Sequence, residues 1–181
     1  MGALLALPSG CAAPLVNIAQ IDLDAIGPDQ VLLLGCVRVT ALEMDRTSDT
    51  FIRSTAQSGE KLLPPDGEVA WLVHRRRGIP IHLSSLSSGS LWAMIGVLAA
   101  PGALPVPISY FGTVSIEIGS GPNNRSSGRV GSARRKVVDD HAAAMRSFVD
   151  QNPALAQRPY YNVITGAVVE APIVRRPLQP T

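Results

Sequence analysis

Two histidines bracket a basic turn in the run His74-Arg75-Arg76-Arg77-Gly78-Ile79-Pro80-Ile81-His82. On the two arms of a β-hairpin they become cross-strand neighbours with Cβ atoms about 5 Å apart, close enough to offer two imidazoles to one metal ion. A third ligand would have to be His141 or a carboxylate such as Glu68. Two ligands do not make a site, so His74 and His82 read as solvated histidines and metal binding as the alternative. Asp139-Asp140-His141 sets three titratable groups in succession, the material of general acid–base chemistry. They also open an apolar stripe of helical spacing. A carboxylate there caps free N–H groups and complements the helix dipole, and capping is the reading adopted.

Nucleophiles have less support. The serines within residues 84–90 and at Ser126-Ser127 lack the Gly-x-Ser-x-Gly elbow. Cys36 lies in Val31–Val39, a run too apolar and β-branched for a loop, which makes it a buried, inert thiol. Arg75, Arg76 and Arg77 could join Arg134, Arg135 and Lys136 in a patch for phosphate or an anionic surface. Sixteen Lys and Arg are balanced by 14 Asp and Glu, so a solvated loop is preferred and no nucleic-acid partner is expected. Trp71 and Trp92 sit in apolar runs and read as core. The expectation is a non-enzyme with no catalytic residue and no cofactor.

The chain's 181 residues, 46% hydrophobic and 17% charged, suffice for one domain with a real core and exclude wholesale disorder. Sixteen glycines and 15 prolines favour short elements joined by turns. Residues 31–39 read as a core strand, at least its first half covered on both faces, and Thr50–Ser54 as a short strand. From Val69 to Leu83 the apolar residues all fall on odd positions, which predicts a hairpin turning at Arg77–Ile79. Val73 would face Leu83, and His74 would face His82 on the solvent side. Residues 91–98 form an apolar run too short to span a membrane and read as a buried strand. Tyr110–Ile118 alternates as a half-exposed antiparallel strand, with Tyr110, Gly112, Val114, Ile116 and Ile118 on one side. Residues 119–132 read as a loop, and Val137-Val138 closes a strand.

One helix, about 139–151, carries the stripe His141, Met145, Phe148 and Val149, and Asn152-Pro153 stops it. Tyr160–Ile164 and Ala167–Val169 turn at Thr165-Gly166. The fold expected is therefore mainly β, an antiparallel β-sandwich with one helix in the C-terminal half. Its boundaries are a signal-like arm over 1–30, the domain over 31–171 and an extended Pro-rich tail over 172–181.

Met1 to Cys11, MGALLALPSGC, is an apolar run, then small residues, then a cysteine. It resembles a bacterial lipoprotein signal, in which the cysteine receives the lipid after cleavage. No Lys or Arg precedes the run, and Pro8 stands where that family prefers Leu; a start upstream of Met1 would supply the basic residues. The other reading is an apolar arm with a free thiol, able to pair with Cys36 in an oxidising compartment. The order of elements is similar to that in bacterial predicted lipoproteins with a small prealbumin-like or carboxypeptidase-regulatory-like sandwich. The residues carrying that likeness are the Cys11 region, Gly35–Val39, Tyr110–Val114 and Val137–Asp140. The resemblance implies an exported accessory protein, periplasmic or envelope-associated, lipid-tethered at Cys11, with protein partners and no catalytic residues. The alternatives are a small metal-dependent periplasmic enzyme using His74 and His82, and a soluble subunit, cytoplasmic in location, docked through its C-terminal tail.

Overall fold

Val31, Leu32, Leu33 and Leu34 are all fully buried, so the strand that carries them needs a cover on each side. A computed structural model supplies both covers; it describes residues 15–41, 50–55, 61–62, 67–88, 91–119 and 132–170. The strands are β1 (Gln30–Ala41), β2 (Thr50–Ser54), β3 (Lys61–Leu62), β4 (Gly67–His74), β5 (Ile81–Ser88), β6 (Leu91–Ala100), β7 (Ile108–Gly119), β8 (Ser132–Val138), β9 (Tyr160–Asn162) and β10 (Ala167–Val169). The α-helix is α1 (His141–Gln151). One sheet runs β10-β9-β7-β1-β4 with β8 also paired to β7, and the other runs β3-β2-β5-β6.

The odd residues of β1 and β4 (Val31, Leu33, Val37, Val69, Trp71, Val73) meet Ile81, Leu83, Leu86, Ile95 and Val97 of the second sheet in one core. Behind the first sheet, Leu32, Leu34, Ile108 and Tyr110 meet Met145, Phe148 and Val149 of α1 in another. The body thus has three layers: sheet, sheet and helix. Each fully buried apolar side chain contributes about 1.5–3 kcal/mol. Two 3-10 turns, Ile18–Gln20 and Leu23–Ala25, join the helical layer by burying Ile18 and Leu23. Val16 donates its N–H to Ala70 O at 3.0 Å. From Leu15 onward the expected N-terminal arm is therefore part of the domain, while Cys11 and residues 172–181 lie outside the described residues.

The mainly β, two-sheet class with one helix agrees with the sequence reading, and the strand bounds at 50–54 coincide. The pairing does not match it throughout. β1 and β7 are parallel, as are β7 and β9, because long connections separate them in sequence. The 69–83 hairpin is also corrected. β4 pairs with β1, and β5 pairs with β2 and β6, so the two strands lie in different sheets and face each other across the core. The serine-rich stretch after Leu83 continues as strand, since β5 runs on to Ser88.

β7 departs from its expected pattern at one residue. Between Leu34↔Tyr110 and Cys36↔Thr113 the register shifts, so Gly35 of β1 stands opposite both Phe111 and Gly112. Gly112 adopts φ +91°, and a Cβ there would lie 2.9 Å from Val138 O and 2.5 Å from the Ile164 side chain. The bulge resets the alternation. Tyr110 and Thr113 now turn to the helix side, while Phe111, Val114 and Ile116 fill the inter-sheet core. Residues 108–114 are buried without exception, so this half of the strand is central; the expected alternation holds beyond it, where Ile116 is buried and Glu117 exposed.

Candidate functional site

The bulge lies at a fork in the sheet. β7 pairs with β9 at Ser109 and Tyr110 and with β8 from Thr113 onward, so one edge of β7 serves two strands in succession. Where β8 peels away, Asp139 and Asp140 carry the chain into α1. Asp140 stands at the N-cap position, yet its side chain makes no cap hydrogen bond. Its carboxylate instead accepts from the Tyr110 hydroxyl and, at 2.7 Å, from Thr113 Oγ1. Asp139 accepts from the His141 backbone N–H at 3.2 Å and from Asn162 Nδ2 at 3.2 Å, and His141 Nδ1 lies 2.8 Å from its Oδ1. Asp139 does accept from the N–H of the first residue of the helix, while at Asp140 the expected cap gives way to a strap across the bulge, built on two hydroxyls. The aromatic rings of Tyr110, His141 and Tyr160 close around it, with centroids 6.4 to 6.5 Å apart.

Burial works to raise the Asp139 pKa, but the hydrogen bonds from His141 and Asn162 overcome it and hold the carboxyl below its usual range. Tyr110 is pushed far above its ordinary value, first by burial and then by the hydrogen bond and charge of Asp140. Burial, followed by the charge of Asp139, raises Tyr160 as well. A phenol with a raised folded pKa stabilises the fold fully below the unfolded value of about 10, and that contribution is lost as pH rises through the folded value. Asp139 has the opposite sign: its contribution is present above about pH 4 and is lost as pH falls through its lower folded value. Between about pH 8 and pH 10.5, Tyr110→Phe is therefore expected to lose less stability than the unmodified chain, read from urea midpoints at the two pH values. Parallel losses would show that the buried phenol has an ordinary pKa.

The other residues singled out in the sequence are dispersed. His74 stands opposite Gln30 in the first sheet, and His82 opposite Leu98 in the second. Glu68, on β4, accepts from Ser147 Oγ of α1 at 2.6 Å. The pairing that motivated a metal site does not form, and among the described residues no group of three His, Cys, Asp or Glu side chains could hold an ion. Arg75–Arg77 adjoin the start of β1, whereas Arg134 pairs with Glu117, itself opposite Thr40 near its end. The basic patch is thus divided by most of a strand, about 30 Å at the usual rise per residue. Arg135 donates to Ile95 O and Gly96 O and so closes the exposed edge of β6.

Cys36 is a buried free thiol, as expected. Trp71 is fully buried, and Ser84 Oγ donates to Arg53 O at 3.0 Å. The Trp92 side chain, Ser90, Ser126 and Ser127 lie outside the described residues. Among those residues no helix is long and apolar enough to cross a membrane. Tyr110, Thr113 and Asn162 were not foreseen as site residues. The available signal was Gly112, a glycine inside a strand pattern, which marks a bulge and a change of face.

Comparison with protein families, curated proteins and solved structures finds no match.

Proposed function

We propose that this chain is a non-enzymatic, exported accessory protein, tethered through Cys11, whose three-layered body binds or scaffolds other proteins of a cell-envelope assembly. The observation that carries this reading is where the titratable side chains are committed. Asp140 holds Tyr110 and Thr113, and Asp139 holds His141 and Asn162. Both carboxylates therefore fasten the start of α1 to the fork in the sheet, a structural duty that explains their presence without a substrate. The signal-like order of Met1–Cys11 supports export and attachment. A metal-dependent reaction centred on His74 and His82 has less to stand on, because the two strands that carry them belong to separate sheets.

The test is mass spectrometry of the chain recovered from the membrane fraction of its native cell, followed by identification of the proteins that co-purify with it. The expected mature chain begins at a lipid-modified Cys11 and brings envelope proteins down with it. An intact, unmodified Met1 would overturn the tether. Recovery of the chain alone after mild crosslinking would overturn the scaffolding role.

A further inference from the structure

Arg75 is held in place by groups other than a carboxylate. Its backbone N–H donates to Asp29 O at 2.9 Å, and its Nε and Nη2 both donate to Pro28 O, at 3.3 and 3.0 Å. The remaining nitrogen, Nη1, is buried without a hydrogen-bond partner. Among the described residues no ion pair includes Arg75. A guanidinium with an unmet donor out of contact with water is costly, and a turn of the head group that presents Nη1 to an anionic oxygen relieves that cost.

Arg75 lines an open groove of about 470 Å³, together with Pro28, Asp29 and Arg77. The groove's walls are fixed by a close backbone crossing. Gly78 N donates to Gly102 O at 3.3 Å, and a Cβ on Gly102 would lie 2.4 Å from Gly78 O. Gly78 itself takes φ +77°, which turns the chain so that Arg77 and Arg75 line one concavity. Two guanidinium groups against the single carboxylate of Asp29 leave the groove cationic.

We infer that this groove binds the phosphate group of a ligand, with the Arg75 head group turning toward it as one cation and the exposed Arg77 as the second. Two cations approaching from different residues suit a tetrahedral dianion better than a single carboxylate. The phosphate belongs either to a small soluble molecule or to a lipid headgroup, two sources with the same chemistry. The inference is independent of the scaffolding role, since phosphate binding and partner recovery are separate measurements.

The full chain is titrated with inorganic phosphate at constant ionic strength while the amide signals of Gly78 and Gly102 are followed by NMR. In parallel, its sedimentation with vesicles containing phosphatidic acid is compared with that on neutral vesicles. Saturable shifts at the two glycines, or selective sedimentation, support the site and identify its source. Arg77→Gln, on the exposed turn, is expected to weaken binding about tenfold, the effect of one charge-assisted contact. Asp29→Asn should tighten it by removing the opposing charge. Arg75→Gln should abolish it, with Arg77→Gln as the control that leaves the Pro28 contacts intact. Absence of saturation below about 10 mM phosphate together with no vesicle preference, or equal binding by the Arg77→Gln chain, would overturn the inference.

Discussion

Replacing Phe111 with alanine is expected to lower the unfolding free energy by about 3–5 kcal/mol. The ring is fully buried and stacks on Trp71, with centroids 5.8 Å apart and planes 13° from parallel. It also occupies the slot over Gly35, where even a Cβ would come within 2.5 Å of its edge. Truncation therefore removes the ring's burial and leaves a cavity at the centre of the inter-sheet core. The glycine beneath has no side chain with which to fill it, so little relaxation is available. Chemical denaturation gives the result directly, as a fall in midpoint at unchanged slope. A loss below about 1 kcal/mol would mean that this core tolerates a void that close-packed interiors do not.

Asp140→Ala is expected to cost about 2–4 kcal/mol, because one carboxylate satisfies two hydroxyls at the fork. The diagnostic is the cycle with Tyr110→Phe. In the unmodified chain, that substitution removes a phenol hydroxyl bonded to a charge and costs about 1–2 kcal/mol. In the Asp140→Ala background the hydroxyl is already orphaned in a buried setting, so its removal should be neutral or stabilising. A coupling of about 1–2 kcal/mol between the two positions is the expected outcome. Additive losses would show that Asp140 acts as an ordinary helix cap and that the strap is not formed in solution.

Much of this architecture was legible because it rests on local patterns. The uninterrupted apolar residues 31–34 require a strand buried on both faces, and they lie between the inter-sheet core and the helical layer. The stripe of Met145, Phe148 and Val149 required a helix with one buried face, and Asn152-Pro153 stopped it near the expected residue. Asn152 also donates to Ile18 O and Ile21 O, tying the N-terminal turns to the end of α1. That long-range contact leaves no mark in periodicity.

The candidate site was half legible. Asp139, Asp140 and His141 were identified as a titratable group, but their partners come from β7 and β9, far along the chain. The alternation of Tyr110–Ile118 placed Thr113 on the opposite side from Tyr110, and only the bulge brings them to the same face. The basic groove was missed because Pro28 and Asp29, in the turn before β1, and Gly102, between β6 and β7, lie far along the chain from Arg75.

What the sequence determined by itself was which side chains of the strands face inward: Val69, Trp71, Val73, Ile81 and Leu83 are buried, as their parity demands, while Ile79 in the turn between them is exposed. Only the tertiary structure decided whether the strands that carry them lie side by side or face to face. A period of two records the side of a strand that avoids water, and that side is the same for neighbours in one sheet and for opposed strands in two. His74 and His82 were set apart by this choice, and Arg75 was set against Pro28, because backbone pairing with β1, β2 and β6 used the hydrogen bonds a hairpin would have needed.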